Sequence, residues 1–225
     1  MSVQPVLTLD SVSKAFKCGD NMVNVLKNVN LTVNSGEYVG IEGPSGSGKS
    51  TLLSLLGLMD IPTDGALSIL GKRTESLDYN ARAKIRNQHI GFVFQSFNLI
   101  DEHSVLENVM LPLRYSDKQQ KVEAKQWCEF LIEKVGLKDK AGFLPYQLSG
   151  GQQQRVAFAR ALSNKPTMIL ADEPTGNLDS ANGESIMNLL QEENDNGCSI
   201  MLVTHDHRFA KCASRRLSLF DGELQ

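Results

Sequence analysis

The sequence predicts an α/β fold built around a mostly parallel sheet. Three observations carry that prediction. Strand-length apolar runs alternate with segments of helical apolar spacing through the second half of the chain. Residues 6–9 and 29–33 instead alternate apolar with polar, as half-buried antiparallel strands do. A glycine-rich stretch, 43–48, stands between a predicted strand and a predicted helix.

In chain order, 6–9 and 29–33 are the antiparallel strands, and 38–41 is a more continuous apolar run leading into the glycines. Leu52, Leu53, Leu55 and Leu56 give 49–58 a helical spacing. Pro62-Thr63-Asp64-Gly65 is a turn, followed by strands at 67–70 and 90–94. From about 104 to 162 the pattern is helical and rich in Glu, Lys and Gln, with an amphipathic helix over 118–135. A buried strand at 167–171, a helix near 181–193, a buried strand at 199–203 and a strand near 216–220 complete the order. The central helical stretch reads as an insertion into one domain of 225 residues.

Composition narrows the function classes. A net charge of -3 gives no electrostatic reason to expect nucleic acid as a partner. No stretch approaches the roughly 20 apolar residues that cross a bilayer, so any membrane-spanning part belongs to another chain. Residues 1–9 lack the basic and apolar pattern of a secretory signal. Cys18, Cys128, Cys198 and Cys212 form no CxxC pair and fit no zinc spacing, so reduced thiols are expected.

Gly43-Pro44-Ser45-Gly46-Ser47-Gly48-Lys49-Ser50-Thr51 fits the phosphate-binding pattern G-x-x-x-x-G-K-[ST]. Glycines let backbone N–H groups converge on phosphate oxygens, and the following helix N-terminus adds its positive dipole end. Lys49 supplies a point charge to the β- and γ-phosphates, and the Ser50 hydroxyl is a ligand for Mg²⁺, with Thr51 beside it. Asp172 and Glu173 end an apolar strand, where ligands of α/β sheets sit. Asp172 would join the metal shell, and Glu173 would stand where a water attacks the γ-phosphate. Leu148-Ser149-Gly150-Gly151-Gln152 opens a helix and makes a second anion-binding turn. One nucleotide does not need two such sites from one chain, whereas two chains arranged head to tail do.

With these motifs together, the sequence resembles the ATPase subunit of ABC transporters from end to end. The resemblance implies a P-loop NTPase of ABC type, with a RecA-like core, an antiparallel β-subdomain and an inserted α-helical subdomain. Residues 1–225 then form one nucleotide-binding domain, its core about 1–95 and 165–225 and its helical subdomain about 96–164. Phe16 resembles the aromatic that stacks on adenine, in place of the more usual Tyr; from its own surroundings it reads equally as a strand core residue. Gln95 matches the glutamine that touches Mg²⁺ and the attacking water, and Asp179 lies in an Asn177-Leu178-Asp179 loop matching one that contacts the opposite subunit. His205 matches the histidine that hydrogen-bonds the γ-phosphate. Ala171-Asp172-Glu173-Pro174-Thr175-Gly176-Asn177-Leu178-Asp179, with Ile90-Gly91-Phe92-Val93-Phe94-Gln95 and Glu107-Asn108-Val109, is similar to the bacterial lipoprotein-release and macrolide-export group. That group implies ATP and Mg²⁺ as cofactors and an ATP-sandwiched homodimer. It also implies integral membrane permease subunits, with this chain held peripherally on the cytoplasmic side of the inner membrane. Regulation of a membrane-bound cell-division or envelope complex is the alternative role.

Overall fold

The computed structural model describes residues 5–115 and 121–225. Strands β1 (Pro5–Cys18) and β2 (Asn21–Asn34) make a long antiparallel hairpin that turns at Gly19, whose φ of 61° suits glycine. With β4 (Asp64–Ile69) and β5 (Lys72–Arg73) they form a four-stranded sheet in the order β2-β1-β4-β5. The expected strands at 6–9 and 29–33 are only the far ends of this hairpin. Register shifts between Leu9 and Val12, and again to Lys14, break the alternation that marks a strand in sequence.

The second sheet runs β10-β9-β3-β8-β7-β6. It joins β3 (Tyr38–Glu42), β6 (Ile90–Phe94), β7 (Met168–Asp172), β8 (Ser199–Val203) and β9 (Arg215–Phe220), all parallel, with β10 (Glu223–Leu224) antiparallel at the edge. Its helices are α1 (Lys49–Leu56), α2 (Tyr79–His89), α3 (Val105–Met110), α4 (Lys121–Lys134), α5 (Gly150–Leu162), α6 (Ser180–Asp195) and the short α7 (His207–Ala210). Helix α1 stops two residues short of the expected 58, because Gly57 caps it. Helix α2 was not expected. Asp78 caps it by accepting from Ala81 N–H, but none of its residues is buried, so it carries no apolar stripe to read. Of the helix expected over 118–135, residues 118–120 lie outside the described residues.

The parallel sheet divides the apolar interior in two. On β7, Ile169 and Ala171 face one cluster while Met168 and Leu170 face the other; β8 splits likewise, Ile200 and Leu202 against Met201 and Val203. The first cluster continues into α3, α4 and α5, the second into α1 and the antiparallel sheet. Period-two alternation persists in these strands, but both faces bury, so the sequence reads as an unbroken apolar run. Each buried Leu or Ile contributes about 1.5–3 kcal/mol of transfer free energy, which makes the sheet a stiff platform for the loops at its carboxyl edge. The four cysteines are free, and burial pushes the Cys128 and Cys198 thiols up to about 12. Among the described residues, no helix is long and apolar enough to cross a membrane.

Candidate functional site

The loop from Gly43 to Gly48 leaves β3 and turns into α1. Gly43 leaves no space for a side chain, since a Cβ there would stand 2.2 Å from the Leu219 carbonyl oxygen. Gly46 and Gly48 take φ values of 79° and 106°, which a side chain would strain. Lys49 Nζ donates to the carbonyls of Gly43 and Pro44 at 2.7 and 2.8 Å, so its charge lies across the loop. Ser47 is buried and its hydroxyl has no hydrogen-bond partner within the chain. Pro44, Ser45 and Ser50 are exposed, and Thr51 is half-buried on the first turn of α1.

Asp172 and Glu173 end β7 one strand away from β8 and two from β3. Burial and the neighbouring Glu173 charge push the Asp172 carboxyl up, against the Lys49 charge and a Ser50 hydrogen bond that pull it down; the net direction is up. Ser50, on the first turn of α1, thus lies within electrostatic reach of Asp172, on the side where a shared cation shell would form. The donor set of hydroxyl, one carboxylate and phosphate oxygens fits Mg²⁺, which rarely takes an all-protein cage. Accordingly, no cluster of three or more His, Cys, Asp or Glu is poised for a metal among the described residues.

Glu173 has a φ of 46°, a left-handed conformation uncommon outside glycine and asparagine. Its N–H donates to the Val203 carbonyl at 2.9 Å, fixing the turn against β8. His205 follows β8, with Nδ1 2.8 Å from Glu173 Oε1 and its backbone N–H donating to Oε2 at 3.3 Å. The carboxylate is thus oriented by a ring nitrogen, the arrangement a positioned base needs. Gln95, at the end of β6, is tied to Asn177 by two hydrogen bonds. A cleft of about 170 Å³ is lined by Glu173, Gly176, Asp179, Ser180 and His205.

Ser149 caps α5 as a capping box. Its hydroxyl accepts from Gln152 N–H at 3.4 Å, and Gln152 Oε1 accepts from Ser149 N–H at 3.0 Å. A Cβ on Gly151 would stand 2.4 Å from Asn182, whose amide also holds Asp179, the cap of α6. Gly150 and Gly151 therefore pack beside the Asp179 loop. Among the described residues, no hydrogen bond or ion pair links the Ser149–Gln152 turn to the phosphate loop of the same chain. Phe16 is 43% exposed, which overturns the core reading of that ring; Lys14 Nζ lies 4.9 Å from its centroid.

Two residues near the site, Arg160 and His207, have no sequence signal. Arg160 is half-buried and donates to the carbonyls of Phe97 and Asn98, two consecutive left-handed residues just past Gln95. His207 Nδ1 lies 2.7 Å from Glu42 Oε2, bracing the residue before Gly43. Asn177, already marked in sequence by the Asn177-Leu178-Asp179 loop, also clasps Gln95. Arg160 falls within the helical stretch expected over about 104–162, but nothing in sequence pairs a cation with two backbone carbonyls.

A family model described as ABC transporter matches residues 26–176, well over half of the chain. The chain belongs to the ABC transporter family. This ABC protein is 48% identical over 200 residues to the lipoprotein-releasing system ATP-binding protein LolD of Aquifex aeolicus, covering 89% of each chain. It is 44% identical to the macrolide export ATP-binding/permease protein MacB of Bartonella henselae, matching 97% of this chain but spanning only 33% of that protein. Among solved structures, it superposes with a TM-score of 0.91 and 46% identity on the dimeric post-hydrolysis state of the ATP-binding cassette MJ0796 bound to ADP and Pi. That match covers 97% of this chain and 96% of the cassette, which comes from Methanocaldococcus jannaschii. The chain is an ATP-binding, ATP-hydrolysing subunit of an ABC transporter, of the lipoprotein-release and macrolide-export group. These relatives favour transport over regulation of a division or envelope complex.

Proposed function

We propose that two copies of this ABC ATPase sandwich ATP between the phosphate loop of one and the Ser149–Gln152 turn of the other. Closure and opening of that dimer would drive a membrane partner for export or lipoprotein extraction. One observation carries the chemistry: Lys49 and Ser50 after β3, Asp172 and Glu173 after β7, and His205 after β8 meet at one sheet edge. In this reading Lys49 and the amides of 43–51 hold the phosphates, while Phe16 stacks on the base. Ser50, Asp172 and Gln95 would hold Mg²⁺, which would supply positive charge to the phosphate oxygens. Glu173 takes the proton of the attacking water, and His205 orients Glu173 while reaching the γ-phosphate. ADP and phosphate are the products. Asp179 and Asn177 face the second copy.

An apolar cleft of about 730 Å³ lies between α2, β6 and the end of α5, with Tyr79, Phe92, Phe94, Asn98 and Tyr115 on its walls. It opens beside the Gln95 loop and suits a helix of the membrane partner at the cytoplasmic face of the inner membrane. The division into a core of about 1–95 and 165–225 and a helical subdomain of about 96–164 belongs to the same reading, with α3, α4 and α5 as the moving lobe. The deciding experiment is Glu173→Gln. ATP binding should persist, turnover should drop about 10²- to 10⁴-fold, and light scattering should find a dimer that accumulates with ATP. Hydrolysis at the native rate would refute the role of Glu173.

A further inference from the structure

Gln95 and Asn177 are 82 positions apart in sequence and share a two-bonded clasp. Gln95 Nε2 donates to Asn177 Oδ1 at 3.2 Å, and Asn177 Nδ2 donates to the Gln95 backbone carbonyl at 3.1 Å. Gly176 makes the room: a Cβ there would stand 2.8 Å from Gln95 Nε2 and 3.1 Å from its Cδ.

The clasp carries directional information. The two ends of a carboxamide are alike in size and opposite in chemistry, one accepting and one donating. A backbone carbonyl only accepts. The Gln95 carbonyl therefore demands the NH₂ end of Asn177, which turns Asn177 Oδ1 toward the Gln95 side chain. That oxygen also only accepts, so it demands the NH₂ end of Gln95. The end of Gln95 left over is Oε1. A hard divalent cation takes oxygen ligands and is repelled by an amide NH₂. We infer that Asn177 is a positioning residue that fixes which end of the Gln95 carboxamide is presented to the metal and phosphates, with the Gln95 carbonyl as the reference point of the relay. The inference rests on the reading of Gln95 as part of the Mg²⁺ shell.

The test is affinity for a non-hydrolysable ATP analogue, measured by calorimetry with Mg²⁺ and with EDTA. The proteins are the native chain, Asn177→Ala, Gln95→Ala and the double variant. Neutral hydrogen bonds are each worth a net factor of about two to ten. Asn177→Ala should therefore lose about threefold to tenfold of the Mg²⁺-dependent gain and keep its affinity in EDTA. It should add nothing once Gln95 is alanine. Gly176→Ala, which pushes the Gln95 amide aside and leaves Asn177 in place, should show the same selective loss. An equal loss with and without metal, additive losses in the double variant, or no loss in Asn177→Ala while Gln95→Ala loses would each overturn the inference and leave the role of Gln95 standing. A Gln95→Ala chain with its full Mg²⁺-dependent gain would instead remove the metal reading of Gln95, and the inference with it.

Discussion

Lys14 shows how a single charge can tie one segment to another and sit against an exposed ring. It is 8% exposed, and its ammonium donates to Asp60 Oδ1 at 2.7 Å and to the Ile61 carbonyl at 2.9 Å. These bonds pin the segment after α1 onto the hairpin, directly under the Phe16 ring. Burial pushes the Asp60 carboxyl up, but the Lys14 and Ile61 hydrogen bonds with the charges of Lys14 and Arg82 outweigh it, and the net direction is down from 3.8. A carboxyl held lower in the folded chain stabilises the fold above its unfolded value, and that contribution disappears as pH falls through the folded value. Lys14→Met should cost about 1–3 kcal/mol in urea denaturation at neutral pH. The gap from the native chain should narrow in acid, once Asp60 is protonated in both, leaving the part carried by the Ile61 carbonyl. A gap independent of pH would mean that the Asp60 ion pair contributes nothing and that Lys14 acts through the Ile61 carbonyl and packing.

At the scale of elements, the glycines of the phosphate loop differ in what they avoid. Gly46 needs only its left-handed backbone, because a Cβ there meets nothing within 4 Å. Gly43 needs empty space, because the Leu219 carbonyl of β9 fills the position. Gly46→Ala should therefore cost about 1–2 kcal/mol, the ordinary left-handed penalty. Gly43→Ala should cost more and weaken ATP binding further, since a backbone carbonyl cannot step aside. Denaturation midpoints and nucleotide affinities of the two variants check the order. This loop was legible in sequence because its chemistry dictates residue types at fixed spacing. The strands β7 and β8 were legible for a different reason, being apolar on both faces. Helix α2 was not, since none of its residues is fully buried, and most of the β1–β2 hairpin was hidden by its register shifts. The hold of Arg160 on Phe97 and Asn98, and the clasp between Gln95 and Asn177, left no trace because each joins loops remote in sequence through groups that occur everywhere.

For the whole molecule, the decisive relation is between the phosphate loop and the Ser149–Gln152 turn, which share no hydrogen bond within one chain among the described residues. A dimer that completes each site from both copies makes an unusual demand on mixed variants. Ser149→Arg spoils the turn given to the neighbour, and Glu173→Gln spoils the site of its own chain. Each homodimer should be inactive. Mixed, the Ser149→Arg chain keeps its own Glu173 and receives an intact turn, so one working site per mixed dimer should restore phosphate release. Mixtures with no recovered activity would mean that each chain completes its site alone.

The backbone at Glu173 has a consequence beyond the reaction cycle. With φ at 46°, a glycine or asparagine would sit there with less strain, by an amount on the order of 1–3 kcal/mol. Selection for robustness alone would therefore discard the carboxylate. In the proposed role, continued need for turnover keeps it, so a descendant that merely grips nucleotide should drift away from glutamate at this position long before its fold decays.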